Sequence, residues 1–183
     1  MTPTQRKSAA DTMPCEIIWN SATNRNENLD KTRHDGIEGT FSYLWEKRLK
    51  IYGSLTYHRA TFEAGFHNGK ELPLVPRWMG RLGAEWQLPG NLTLRPEGRF
   101  VGDAYLSGDQ DNNGDKLSAY EVFDCFLFYR PQWGRWKVSA FAGVENLNNE
   151  RYAAIGVEGT AYSPQTYYPM PERTVKCGIS FEF

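Results

Sequence analysis

The chain has 183 residues, and its 21 basic and 22 acidic side chains nearly cancel to a formal net charge of −1. That balance excludes the electrostatic footprint of a polyanion binder, and a mean hydropathy of −0.62 with no long apolar run excludes a helical membrane span. The 26 aromatic residues (10 Phe, 10 Tyr, 6 Trp), with 17 Gly and 10 Pro, suit short strands joined by turns. An all-β protein is expected.

The polar opening, residues 1–14, has no apolar core of signal-peptide length. It is expected to be a disordered or unrelated start, and an export signal would have to lie on sequence missing from this chain. Alternating patterns then mark about eight strands, near 15–20, 36–45, 48–62, 78–88, 92–100, 118–130, 136–147 and 173–183. Over 78–88, Trp78, Gly80, Leu82, Ala84 and Trp86 share one face while Met79, Arg81, Glu85 and Gln87 share the other. Trp78 and Trp86 are separated by ~26 Å along an extended strand, or roughly 20 Å along the membrane normal for a strand tilted ~40°, which matches two aromatic girdles.

Connections alternate in length along the chain. Short ones fall at Glu46-Lys47, Pro89-Gly90 and Gln132-Trp133-Gly134; long ones run about 21–33, 63–76, 103–117 and 148–172. All long loops therefore gather at one end of an antiparallel up-and-down meander, as in a transmembrane β-barrel. A half-buried sheet in a soluble sandwich also alternates in this way.

Few residues suggest chemistry. Cys15, Cys125 and Cys177 have neither metal-ligand nor redox spacing. His34, His58 and His67 fall on different strands and loops without paired spacing. The run from Asp109 to Asp115 imitates the front half of a calcium loop, but its twelfth position is Tyr120 where a bidentate Glu is required, so it reads as a solvated hairpin end. No catalytic motif occurs, so no enzyme, cofactor or resident metal is expected. Arg151, Tyr152, Tyr162, Tyr167, Tyr168 and Arg173, in and after the last long loop, are candidate contacts for an anionic aromatic chelate through charge and stacking.

The last eight residues, KCGISFEF, carry Lys176, Gly178, Phe181 and Phe183 in a pattern that resembles the C-terminal signal read by the barrel-assembly machinery of bacterial outer membranes. Further landmarks occur in order: TNRNENLDKTRHDGIE (23–38), ATF…GKELPLVPRW (60–78), RFVGDAYLSGD (99–109), VENLNNERYA (144–153) and the YYPMPERTV lead into the last strand. Over residues 15–183 the chain resembles the C-terminal part of TonB-dependent outer-membrane receptors. The resemblance implies about eight strands of a 22-stranded barrel that imports a scarce ligand, such as a ferric siderophore or cobalamin, through outer-membrane lipid. TonB would act only through an N-terminal plug that this chain lacks. A self-contained eight-stranded barrel is the alternative, since eight strands suffice to close one, and a soluble sandwich or lipocalin-like binder is a third.

Overall fold

The computed structural model describes residues 7–13, 16–20, 25–29, 31–133 and 136–182, and all regular structure among them is β. Eight strands form one antiparallel meander: β1 (Lys7–Met13), β4 (Thr32–Trp45), β5 (Leu49–Phe62), β6 (Trp78–Leu88), β7 (Leu92–Val101), β10 (Tyr120–Tyr129), β12 (Trp136–Glu145) and β15 (Thr174–Glu182). The rest lie in the connections: β2 (Glu16–Asn20) with β3 (Arg25–Leu29), β8 (Ala104–Tyr105) with β9 (Lys116–Leu117), the two-residue β11 (Gln132–Trp133) on β12, and β13 (Ala153–Val157) with β14 (Thr166–Pro169). No pairing joins β1 to β15 among the described residues, so these eight strands make an open wall and do not close on themselves.

The register sorts side chains onto two faces, because directly opposed residues point the same way. Opposed sets such as Phe41↔Gly53, Leu55↔Gly80, Leu127↔Leu94, Cys125↔Val144 and Ala140↔Ile179 join into a continuous apolar face from β4 to β15. Val175, Cys177, Ile179 and Phe181 of the last strand lie on it. Leu82 and Val175 are more than half exposed there, at 57% and 75%. Trp45 and Trp86, both register partners of Leu49, mark one edge of this band, and the Tyr57–Trp78 ring pair, with centroids 4.8 Å apart, marks the other.

The opposite face is charged, and its charges are matched across strands. Arg81 lies 2.6 Å from Glu97, Arg95 2.6 Å from Glu85, Arg99 3.5 Å from Asp124 and Lys176 2.7 Å from Glu145. Tyr52 adds a hydroxyl donor to Glu97 at 2.9 Å. Near the short-turn end this face turns aromatic: Phe126, Phe128 and Phe141 cluster with centroids 6.1–6.3 Å apart. Both Arg95 and Arg130 lie over the Phe128 ring.

Short reversals behave as the alternation in loop length requires. Glu46 and Lys47 both take left-handed φ values (48° and 58°), and Arg48 donates its amide to the Trp45 carbonyl at 3.0 Å. In the 89–91 reversal the left-handed residues are Gly90 and Asn91. Three expectations change. Of the strand expected at 15–20, residue 15 lies outside the described residues and Glu16–Asn20 are not a wall strand, because β2 folds onto β3 within a connection; the wall's first strand is β1, whose seven residues pair with Thr32–Glu38 of β4. Alternation marks EIIWN as a strand, and a hairpin within a connection satisfies that pattern as well as a wall strand does. Gln132 and Trp133 belong to the ladder, opposite Lys137 and Trp136, and not to the turn.

Candidate functional site

Side-chain burial concentrates at the long-loop end. Ala60 and Phe62, the last apolar residues of β5, pack with Leu72 and Val75 of the 63–77 connection. Leu106, in the 102–119 connection, is fully buried. The connections also share backbone bonds: Leu74 N–H donates to Tyr105 O, Ser107 N–H to Gly156 O, and Glu158 N–H to Ser107 O, each at 2.8 Å. Asn112 acts as a substitute peptide, accepting from Glu71 N–H at 2.6 Å and donating to Glu71 O at 3.0 Å. Together these bonds tie the loops into a packed cap.

Within that cap, the Asp109 carboxylate accepts the amides of Asn113 and Gly114, both at 3.0 Å. Its oxygens thus organise their own turn. No group of three or more metal-ligating side chains occurs among the described residues.

The ENLNNERY run has a structural explanation. Asn146 is buried, with φ of 54°; its side chain accepts from Glu150 N–H and donates to Glu150 O, both at 2.8 Å, and reaches Pro171 O at 3.3 Å. Asn148 bridges the edge of β10 through Phe123 N–H and Glu121 O, while Asn149 accepts from Arg173 N–H at 3.0 Å, at the entry to β15. Asparagine suits these positions because its amide replaces backbone donors and acceptors and it tolerates left-handed φ.

Three of the six candidate ligand contacts meet around one cleft of about 430 Å³: Arg151, Tyr152 and Tyr167, joined by Lys116, Met170 and Glu172. Tyr152 stacks on Tyr120 with centroids 4.1 Å apart. The cations are already paired, Arg151 with Glu172 at 3.0 Å and Lys116 with Asp103 at 2.6 Å. The hydrogen bond from Lys116 holds the Asp103 carboxyl below its ordinary range, and Asp103 in turn raises Lys116. The cleft therefore offers stacking surface and neutralised charge. Tyr162 is fully exposed, Tyr168, on β14 next to Tyr167, pairs with Ile155 of β13, and Arg173 leads into β15. Sequence reasoning missed Lys116, Tyr120 and Glu172, whose strand-like or charged surroundings gave no local signal.

Other expected residues fall as follows. Lys176 donates to Glu145 at 2.7 Å, Gly178 faces Phe141, and Phe181 stands exposed opposite Val138, while Phe183 lies outside the described residues. The histidines are not all scattered: pairing of β4 with β5 brings His34 Nδ1 to 3.1 Å from His58 Nε2. His67 instead meets Asp111 at 2.9 Å.

The wall, its two-faced register and the one-ended loop cap agree with the comparisons. The profile described as TonB dependent receptor-like, beta-barrel matches residues 4–147, and the chain belongs to that family. No curated protein sequence matches significantly. Among solved structures, the copper transporter OprC is similar over 98% of this chain and 28% of its own, with 22% identity and a TM-score of 0.76. The siderophore receptor PiuA from Acinetobacter baumannii is similar over 98% and 26%, at 14% identity and a TM-score of 0.76. The ferric citrate transporter FecA in its unliganded form covers 83% and 24%, at 21% identity and 0.70. The chain thus spans about a quarter of the length of the solved receptors it resembles.

Proposed function

We propose that this chain forms the closing wall of an outer-membrane receptor barrel that takes up a metal chelate such as a ferric siderophore, with TonB acting through a plug domain outside this sequence. The observation that carries the reading is the segregation of faces. An apolar band bounded by Trp45, Trp86, Tyr57 and Trp78 suits lipid, whereas the matched charges of Arg81, Glu85, Arg95 and Glu97 suit a wet lumen or a polar plug. The neighbours' own names, a siderophore receptor and a ferric citrate transporter, support the ligand class. Such a protein moves its ligand without altering it, so no catalytic residue is invoked. The barrel-assembly machinery would receive β15 through Lys176, Gly178, Phe181 and Phe183.

Ligand contact falls first to Tyr152 and Tyr167, whose rings line the same cleft, with Arg151 contributing once Glu172 is displaced. Tyr162, Tyr168 and Arg173 stand as outer contacts from the same connection. The test is binding of ferric catecholate and ferric hydroxamate chelates to the chain folded in detergent micelles, followed by tryptophan fluorescence. Saturable quenching that weakens in Tyr152→Ala and Tyr167→Ala supports the reading, and quenching indifferent to both substitutions refutes the cleft as the contact.

A further inference from the structure

β4 and β5, at 14 residues each, are longer than the 9–11 residues a tilted membrane strand needs. Their far ends, beyond Ile37 and Tyr57, run on to the loop cap. In this extension His34 and His58 lie on the charged face, diagonal to each other because His58 is the register partner of Gly36. A Cβ at position 36 would come within 2.9 Å of the Tyr57 carbonyl oxygen, so the backbones' close approach here requires glycine, and the His58 ring lies beside it at an ordinary contact distance of 3.6 Å. The rings stack with centroids 5.2 Å apart and an interplanar angle of 21°.

We propose that His34 and His58 form a binding site for a first-row transition-metal dication with affinity for imidazole, such as Cu²⁺, Ni²⁺ or Zn²⁺. Two imidazole nitrogens bonded to one ion at about 2.0–2.1 Å are separated by about 2.9 Å at a right angle and about 3.4 Å at the tetrahedral angle. His34 Nδ1 and His58 Nε2 are 3.1 Å apart, within that span. The second ring nitrogen of His34 lies 3.4 Å from the hydroxyl of fully buried Thr32. With the proton on that Nε2 donated to Thr32, Nδ1 accepts the hydrogen bond from His58 Nε2–H, and the ion would take the place of that proton as it shifts to the other His58 nitrogen, the Thr32 contact being the kind of outer partner that fixes a ligand tautomer. Imidazole donors select Cu²⁺, Ni²⁺ and Zn²⁺ over Mg²⁺ or Ca²⁺. The site stands on β4–β5 pairing alone and does not require the receptor reading.

The experiment adds Cu²⁺ to the full chain in detergent micelles, its thiols first blocked with N-ethylmaleimide, and counts coordinated imidazole nitrogens by electron paramagnetic resonance. Two imidazoles per bound ion are expected, with His34→Gln and His58→Gln each weakening binding about tenfold or more and His67→Gln leaving it unchanged. None or one imidazole in the unsubstituted chain overturns the proposal without reference to any variant's folding. So does binding that is indifferent to His34→Gln and His58→Gln in variants with unaltered circular dichroism.

Discussion

Phe141 lies across Gly178 of the neighbouring strand: the two are direct register partners, and a Cβ added at position 178 would come within 2.5 Å of the Phe141 ring. Gly143 stands in the same relation to Phe126 one strand pair away. Gly178 was read from sequence as part of an assembly signal, and the structure adds a packing requirement. Gly178→Ala should therefore destabilise the β12–β15 pair by about 1–3 kcal/mol, the range for overpacking. Adding Phe141→Ala should recover part of the loss. A double-mutant cycle in urea checks this, and zero coupling would leave only the signal role.

Cys177 shares the apolar face with Val175 and Ile179 and pairs with Ala142. In a lipid-embedded barrel it should resist a membrane-impermeant maleimide, whereas Ser180→Cys, on the charged face beside Ser139, should react. Mass spectrometry of the labelled protein reads both sites. Equal labelling would contradict the assigned register.

The wall was legible because period-two patterning records a strand directly and forces its register. Trp78 to Trp86 and Val175 to Phe181 fall on one face as their alternation requires. The first strand was not legible, since KSAADTM has no alternation and takes its conformation from pairing with β4. The cleft was half legible. Aromatic and basic residues of the last loop could be picked out, but their grouping depends on Lys116, Glu172 and Tyr120, which come from three separate segments. The His34–His58 pair, 24 residues apart, became visible only once the strands were paired.

Asn146 should be the residue on which the last connection depends most. Its side chain serves three backbone groups in a buried position, so Asn146→Ala should cost about 1–3 kcal/mol through unsatisfied partners. Asn146→Gly, which accepts φ of 54° without strain, should lose the hydrogen bonds alone and retain a smaller defect. Limited proteolysis within 147–173 compares the two.

Asp103 and Lys116 should make the 102–119 loop acid-sensitive. Asp103 has a lowered pKa in the folded protein, so its contribution is complete above the ordinary carboxylate value and is lost as pH falls through the lowered one. Hydrogen exchange at Ala104 and Leu117 should stay flat from neutral pH down to the ordinary carboxylate range, after correction for intrinsic rates, and rise only below it. Lys116→Met should abolish the step. A transition near neutrality would point to a different group.

The central claim is that the face bearing Leu82 meets hydrocarbon while the face bearing Arg81 does not, although the two residues adjoin in sequence. Nitroxide labels placed singly at Leu82→Cys and Arg81→Cys, in a cysteine-free background reconstituted in lipid, read this directly through collision with oxygen and with a water-soluble nickel chelate. The account predicts high oxygen and low nickel accessibility at position 82 and the reverse at position 81. Equal accessibilities at the two positions, or the opposite order, would contradict it.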